Sequence, residues 1–266
     1  RPSGGRRSAA VVAAGGLVLS GNARAGNGRI EINQASALAG GITAGDAAGF
    51  PVQLTAPGSY VLTGDLSVAL NTAGVSITAD RVSLDLNGFS ITGGAICSGT
   101  GLGGTCTATT TGIGINAQNV ADTRISNGRI RGTNYGIFAG DRAWIEAVEV
   151  NASSASGIRC GQACAVVRCK AEGNRGNGIS VEQTSRVSDS IARGNLSRGI
   201  TATDFGAAFF YSVHVRGNVV ALNGSNGIET ENFALLVDND VYSNEGTGIV
   251  AAFGSALLRN ALRSNG

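Results

Sequence analysis

The side chains of this chain that could do chemistry are carboxylates that recur beside a Gly-Ile pair. Glu182 and Glu231 stand four residues after the glycine of such a pair, at predicted outward positions of the strand that follows it, and Asp204 stands five residues after another, at the next corner. Two carboxyl groups about 6.5–9.5 Å apart can hydrolyse a glycosidic bond with inversion, one as general acid and one as general base. Glu182, Asp204 and Glu231 are therefore candidate catalytic residues, with simple solvation of an exposed strand as the alternative.

Aromatic and charged side chains lie close to these carboxylates in the sequence. Residues 204–211 hold four aromatic rings in a chain that is only 5% aromatic. Rings beside acids suit stacking on sugars, and the alternative is that Phe209 and Phe210 only pack over a bulge. The candidate substrate-binding residues are Arg159, Glu229, Phe205, Phe209, Phe210 and Tyr211.

Other reaction classes find little support in the sequence. The one histidine, His214, has a strand phase that points it outward beside Arg216, so no Ser/His/Asp set can be assembled. Lys and Arg are scattered and the formal net charge is +2, so no nucleic-acid partner is expected. No cofactor is certain and no metal site is predicted.

A repeated Gly-Ile pair must position these side chains. Subtracting successive glycine numbers gives steps of 22, 21, 21, 21, 28 and 21 residues, which marks a repeat architecture. Apolar and polar residues alternate within each repeat, as in short half-buried strands. The pattern predicts a parallel β-solenoid whose coils rise ~4.8 Å each. The repeat glycines are Gly114, Gly136, Gly157, Gly178, Gly199, Gly227 and Gly248.

Equal offsets from the repeat glycine predict buried columns. An aliphatic column lies nine residues after it, and Val215 joins this column if the 28-residue coil carries its seven extra residues before that strand. A column twelve residues after it ends in asparagines, whose amides can hydrogen-bond from coil to coil. A further asparagine stands four residues before most of the Gly-Ile pairs: Asn174, Asn195, Asn223 and Asn244.

Segments such as residues 215–228 resemble the repeats of the right-handed parallel β-helix superfamily, which includes the pectate lyases. The resemblance covers residues 75–266 and implies an all-β, single-stranded right-handed parallel β-helix with an N-terminal cap. It implies a polysaccharide or cell-surface glycan as the partner, and cleavage by a lyase or a glycoside hydrolase. It also suggests that the acids beside Arg159 hold Ca²⁺ and a sugar carboxylate. The alternative is a non-catalytic structural or adhesin-like surface module.

The N-terminal residues 1–25 have the features of a signal peptide. Basic residues precede a small and apolar run over residues 8–20, and Ala23-Arg24-Ala25 supplies a cleavage site. The run is shorter than the ~20 residues that span a bilayer, so no stable membrane span is expected in the mature chain. A secreted or periplasmic location follows, and an apolar first strand or a retained anchor is the alternative.

The remaining chain divides into a cap with opening strands, residues 26–74, and coils over residues 75–266, with a loop inserted at 93–111 and a C-terminus expected to be truncated. Cys97 and Cys106 flank the loop and are predicted to form a disulfide. Cys160 and Cys164 straddle a corner and form a second candidate pair, while Cys169 falls in the asparagine column. A metal site of three thiols is the competing interpretation. The pattern predicts no oligomeric state.

Overall fold

The computed structural model describes residues 25–26, 28–98, 105–108, 110–202 and 212–266, with side chains for 28–96, 110–202 and 212–266. These residues form a parallel β-helix with nine coils, as the repeat predicts. The described part of the chain holds one helix, Gln34–Ala39. The aliphatic side chains of all the coils meet in one continuous core.

The first face of the β-helix carries the strands that begin at the isoleucine of each Gly-Ile pair, together with two earlier strands, and we call it the Gly-Ile face. Equivalent residues of successive coils are paired in parallel register, so Ile137, Ile158, Ile179 and Ile200 form one buried stack. The predicted isoleucine column is confirmed. The nine strands are Val52–Leu54, Val75–Ile77, Ile115–Ala117, Ile137–Ala139, Ile158–Cys160, Ile179–Val181, Ile200–Ala202, Ile228–Thr230 and Ile249–Ala251.

The second and third faces are formed by two further strands of each coil. Arg124–Arg131 and Trp144–Asn151 are longer strands that run through both faces. Val187 pairs with Val215, so the seven extra residues of the long coil precede this strand, as predicted. The other second-face strands are Gly58–Leu62, Val82–Asp85, Ala165–Val167, Arg186–Ser188, His214–Arg216, Leu235–Val237 and Ala256–Leu258. The other third-face strands are Leu66–Ser67, Ser90–Thr92, Lys170–Glu172, Ile191–Arg193, Val219–Ala221, Asp240–Tyr242 and Ala261–Arg263.

Two asparagine ladders run along the corners of the β-helix. At the corner between the second and third faces, the amide of Asn218 donates to Asn239 Oδ1 at 2.9 Å. At the corner before the Gly-Ile face, the amide of Asn195 donates to Asn223 Oδ1 at 2.9 Å, and Asn223 continues to Asn244 at 2.8 Å. Each buried amide thus has partners in the adjacent coils. This confirms the hydrogen bonding predicted for the column twelve residues after the repeat glycine, and it shows the same bonding in the second set of asparagines.

The repeat glycines are required by space and not by backbone conformation. Residues with positive φ lie elsewhere, for example Arg168 and Asp189 at the corner between the second and third faces. A Cβ placed on Gly178 would lie 2.7 Å from the carbonyl oxygen of Gly199 and 2.6 Å from the ladder amide of Asn195. The requirement for glycine at these positions is therefore steric. These glycines leave room for the next coil and for its asparagine.

The N-terminal region closes the first coils. Arg29–Ile32 pairs in parallel with Gly58–Leu62 and antiparallel with Ala25–Gly26. The helix Gln34–Ala39 begins at a capping box formed by Asn33 and Ser36. Within the region predicted as cap and opening strands, residues 52–67 already make a full coil that pairs with the next. The predicted signal peptide lies almost wholly outside the described residues.

The inserted segment 93–111 contains an antiparallel hairpin of Ile96–Ser98 and Thr105–Ala108, in which Cys97 lies opposite Cys106. The disulfide between them stays a prediction. Cys160 and Cys164 are joined by a disulfide with their Cα atoms 6.3 Å apart. Cys169 is a buried thiol in the ladder column, where its backbone N–H donates to Ser190 Oγ at 3.1 Å.

Candidate functional site

The outward column of the Gly-Ile face is formed by the middle residue of each strand. The register aligns Arg159 with Glu229 in this column, three coils apart and therefore about 14 Å apart along the axis. The residues of the column are Gln53, Ser76, Asn116, Phe138, Arg159, Ser180, Thr201, Glu229 and Val250. The structure thus brings two of the predicted substrate-binding residues to one face.

An aromatic–arginine cluster, made of Tyr135, Phe138 and Arg159, occupies one end of this column. The guanidinium of Arg159 lies over the Phe138 ring, 4.8 Å from its centroid, and the Tyr135 ring centroid is 5.2 Å from that of Phe138. All three side chains are half-buried. The cluster offers apolar ring surface beside a permanent positive charge.

A polar cluster around Glu229 occupies a later part of the same column. Glu229 Oε2 accepts hydrogen bonds from Arg198 Nε at 2.5 Å and from Asn226 Nδ2 at 2.7 Å. Two donors thus fix the position of this carboxylate, and its oxygens can accept a further hydrogen bond from a ligand hydroxyl.

The two candidate catalytic glutamates do not lie on the strand itself. The Gly-Ile face strands are only three residues long, so Glu182 and Glu231 fall at the corner that follows Val181 and Thr230. The expectation that they occupy outward strand positions is wrong for this reason. They are two coils apart, about 9.6 Å along the axis, with Glu182 half-buried and Glu231 exposed.

The remaining predicted site residues belong to the insertion in the long coil. Asp204, Phe205, Phe209, Phe210 and Tyr211 lie outside the described residues. Their roles stay predictions.

The described residues do not fit a divalent cation. No three His, Cys, Asp or Glu side chains in this part of the chain converge to hold a metal ion. Glu229, which lies in the same outward column as Arg159, has the Arg198 guanidinium 2.5 Å from its oxygen, where a Ca²⁺ ion would be repelled. The thiols of Cys160 and Cys164 are joined to each other.

Sequence reasoning missed three partners of the predicted residues. Tyr135 directly precedes the repeat Gly136, and Arg198 directly precedes the repeat Gly199. Asn226 holds the same position before Gly227. The residue before the repeat glycine therefore faces the Gly-Ile column, and this offset was a signal that the sequence contained.

His214 is exposed on the second face, in register with Arg186 of the preceding coil. Its outward position agrees with its strand phase. In the part of the chain that the structure describes, no helix has the length and apolarity needed to cross a membrane.

Comparison with known proteins gives one family and several solved structures. Residues 111–265 match the family described as "Right handed beta helix region". The A-module of mannuronan C-5 epimerase AlgE6 from Azotobacter vinelandii is 12% identical over 79% of this chain and 70% of its own, with a TM-score of 0.43. The AlgE4 A-module from the same organism is 12% identical over 89% and 85%, with a TM-score of 0.42. A mutant of the periplasmic alginate epimerase AlgG is 15% identical over 80% and 70%, with a TM-score of 0.45. No curated protein matches the chain.

Proposed function

Because the chain belongs to the right-handed beta helix family, we propose that it is a polysaccharide-binding protein whose ligand lies along the Gly-Ile face. The observation that carries this proposal is the outward column of that face. The aromatic–arginine cluster and the hydrogen-bonded Glu229 are held in register about 14 Å apart on one rigid sheet.

The separation of these two groups favours a long ligand. A small molecule reaches one of them, whereas a linear chain with repeating hydroxyl and carboxylate groups reaches both at once. Each contact alone is weak, and joining them on one ligand raises the total affinity. Ring surface at Phe138 suits the apolar face of a sugar, and Arg159 adds a donor for a carboxylate or hydroxyl.

Affinity measurements on variants test this proposal. Phe138→Ala and Glu229→Gln are each expected to weaken binding to a preferred polysaccharide by roughly 5- to 10-fold, since each removes about 1 kcal/mol of contact. Arg193→Gln is the control, because Arg193 is an exposed arginine of the third face. A panel of neutral and acidic polysaccharides in affinity electrophoresis identifies the ligand. Binding that survives in the double variant Phe138→Ala/Glu229→Gln would place the ligand elsewhere.

Cleavage of the bound chain is the second candidate function, supported by the spacing of Glu182 and Glu231. Their two-coil separation of about 9.6 Å is close to the ~6.5–9.5 Å between the carboxyl groups of inverting glycosidases. Asp204 is the third candidate acid. Incubation with each bound polysaccharide should release reducing ends or unsaturated products, and Glu182→Gln or Glu231→Gln should abolish the release. Binding without products identifies a non-catalytic surface module.

We also propose that the protein is exported to the periplasm or the medium, with residues 1–25 as the signal peptide. The disulfide between Cys160 and Cys164 supports this, because disulfides persist in oxidising compartments. N-terminal sequencing of the mature protein is expected to begin at Gly26. Full-length protein retained with reduced cysteines in the cytoplasm would refute the export proposal.

A further inference from the structure

The second face carries a cationic column that the proposed function does not use. Successive coils align Arg124, Trp144, Ala165, Arg186 and His214 in one outward row. Trp144 is the only tryptophan of the chain, and His214 is its only histidine. The row therefore gathers residue types that are rare in this protein on one part of its surface.

Trp144 is held in a fixed orientation. Its indole Nε1 donates to Glu146 Oε2 at 3.0 Å, and Glu146 is also paired with Arg124 and Arg168. The guanidinium groups of Arg124 and Arg186 lie over the ring, 5.5 Å and 4.6 Å from its centroid. The ring therefore holds a guanidinium from the preceding coil and another from the second coil after its own.

Arg186 reaches Trp144 only because the intervening residue is small. The two residues are two coils apart, about 9.6 Å along the axis, and Ala165 lies between them. The short side chains of Ala163 and Ala165 leave a groove of about 470 Å³, lined also by Arg142, Trp144, Arg186 and His214. That volume falls within the ~300–1,000 Å³ of ordinary ligand sites.

The charges around the groove are not balanced. Arg124 is paired with Glu146, and Arg142 makes two hydrogen bonds to Asp122, at 2.8 and 3.1 Å. Among the described residues, Arg186 has no carboxylate within 4.0 Å. A guanidinium that stacks on a ring through its face keeps its N–H donors in the plane, directed away from the ring. Arg186 therefore lies over the Trp144 ring and lines the groove without a carboxylate partner among the described residues.

We propose that this groove is a binding site for a carboxylate or sulfate group carried by a saccharide. A planar guanidinium donates two parallel hydrogen bonds to such an anion, and the contact with the Trp144 ring restricts where the Arg186 guanidinium lies before the ligand arrives. Neutral sugars gain nothing from this charge, and guanidinium groups already cover the ring that would stack on them. The inference goes beyond the proposed function, because it uses a different face and none of the Gly-Ile face residues.

The single tryptophan allows a direct test on the full chain. A hexuronate oligosaccharide, a sulfated oligosaccharide and a neutral glucose oligosaccharide of equal length are titrated while the tryptophan fluorescence is recorded, with affinity measured separately by calorimetry. The uronate or the sulfated probe is expected to change the fluorescence of Trp144 saturably, and the neutral probe is expected to leave it unchanged.

Variants assign the effect to the groove. Arg186→Gln is expected to weaken the affinity for the acidic probe roughly 10- to 100-fold, the effect of losing charge-assisted hydrogen bonds. Ala165→Leu fills the space between Trp144 and Arg186 and is expected to weaken it by a similar factor. Arg193→Gln removes one exposed positive charge from the third face of the same coil and is expected to change the affinity less than 2-fold, as an order-of-magnitude bound.

Three results would overturn the proposal. One is an acidic probe that binds by calorimetry without any change in Trp144 fluorescence. Another is an equal loss of affinity in Arg186→Gln and Arg193→Gln, which would mean non-specific attraction to positive charge. The third is single-stranded DNA that binds the groove as tightly as the acidic saccharide. Phe138→Ala is expected to leave the fluorescence titration unchanged, so failure of this site is distinguishable from failure of the Gly-Ile face.

Discussion

Within residues 1–266, replacing a ladder asparagine by alanine should cost more stability in a coil with neighbours on both sides than in the last coil of this segment. Asn223 is completely buried, and its side chain makes four hydrogen bonds. Its Nδ2 donates to Ala192 O at 3.0 Å and to Asn244 Oδ1 at 2.8 Å. Its Oδ1 accepts from the backbone N–H of Asn195 at 3.1 Å and from the amide of Asn195 at 2.9 Å. The change Asn223→Ala removes all four.

The magnitude follows from the groups left without partners. The backbone N–H of Asn195 loses its acceptor in a dry site, which costs about 1–3 kcal/mol, and each remaining hydrogen bond contributes about 0.5–1.5 kcal/mol. Asn195 Nδ2 keeps its bond to Ala171 O at 3.0 Å, which limits the loss. We therefore expect Asn223→Ala to lower the free energy of unfolding by about 3–5 kcal/mol.

Asn265→Ala is the matched comparison. Asn265 stands at the same position in the last coil of residues 1–266 and accepts from Asn244, but it is only half-buried in this segment, so water can replace the missing amide. We expect a loss of about 1 kcal/mol. Urea unfolding followed by Trp144 fluorescence gives both values.

Because repeat proteins can unfold in parts, amide exchange at Asn195 provides the local measurement. Its protection should fall sharply in Asn223→Ala and remain in Asn265→Ala. Equal destabilisation by the two substitutions, or unchanged exchange at Asn195, would refute the assignment of stability to the ladder.

Three further predictions concern the repeat glycine, the buried thiol and the cap. Gly178→Ala should destabilise the fold by about 1–3 kcal/mol, because its Cβ would meet the Gly199 carbonyl. Gly64→Ala should be nearly neutral in the same chemical unfolding assay, because its Cβ would meet only Asn33 Cβ, at 3.4 Å. Burial raises the pKa of the Cys169 thiol from 9.0 to about 11, so the thiol should resist alkylation in the native protein at neutral pH. The folded state then holds the thiol proton more tightly than the unfolded state, so this contribution to stability is complete below pH 9.0 and is lost as the pH rises towards about 11. Urea midpoints measured across that pH range should fall accordingly, and Cys169→Ala should abolish this part of the pH dependence. Burial alone would raise the pKa of Asp85, but hydrogen bonds from Arg29, the Asn87 N–H and Asn127 outweigh it and hold this pKa below its usual value. That stability is present above the unfolded-state pKa of about 3.9 and is lost as the pH falls through the lower folded-state pKa, and Arg29→Gln should reduce this acid sensitivity in the same unfolding assay.

The inward-facing residues of this protein could be predicted from its sequence, because buried positions recur with the period of the repeat. Each inward offset meets the same neighbours one coil above and one coil below, so a residue type that fits once fits in every coil. The Ile137–Ile158 pairing and the contact of Asn195 with Asn223 are both repetitions of that kind. Even the shift of the long coil was predicted, because only one placement of the extra residues keeps Val215 against Val187.

Local features without a repeat were harder to predict. The cap helix Gln34–Ala39 has six residues, too few for an apolar period to emerge, and its capping box pairs Asn33 with Ser36 where the usual signal is a Glu or Gln. The repeat glycines were identified, but the reason for them was not. Their constraint comes from an asparagine and a carbonyl of the next coil, and no local pattern of turn residues reports such a contact.

The chemistry of the outward-facing side chains depends on which residues of neighbouring coils they contact. The repeat does not determine these contacts. Trp144, Ala165 and Arg186 all stand eight residues after a repeat glycine, so aligning the coils places them in one row. That alignment alone gives a separation too large for contact between Trp144 and Arg186. The contact exists because the alanine between them is too small to hold the two apart, and because Glu146 fixes the indole from its own strand. The ion pair of Glu229 with Arg198 has the same origin, since a corner residue of one coil reaches the strand of the next. Function on a β-helix surface therefore has to be inferred from triplets of neighbouring coils, in which the small residue matters as much as the charged ones.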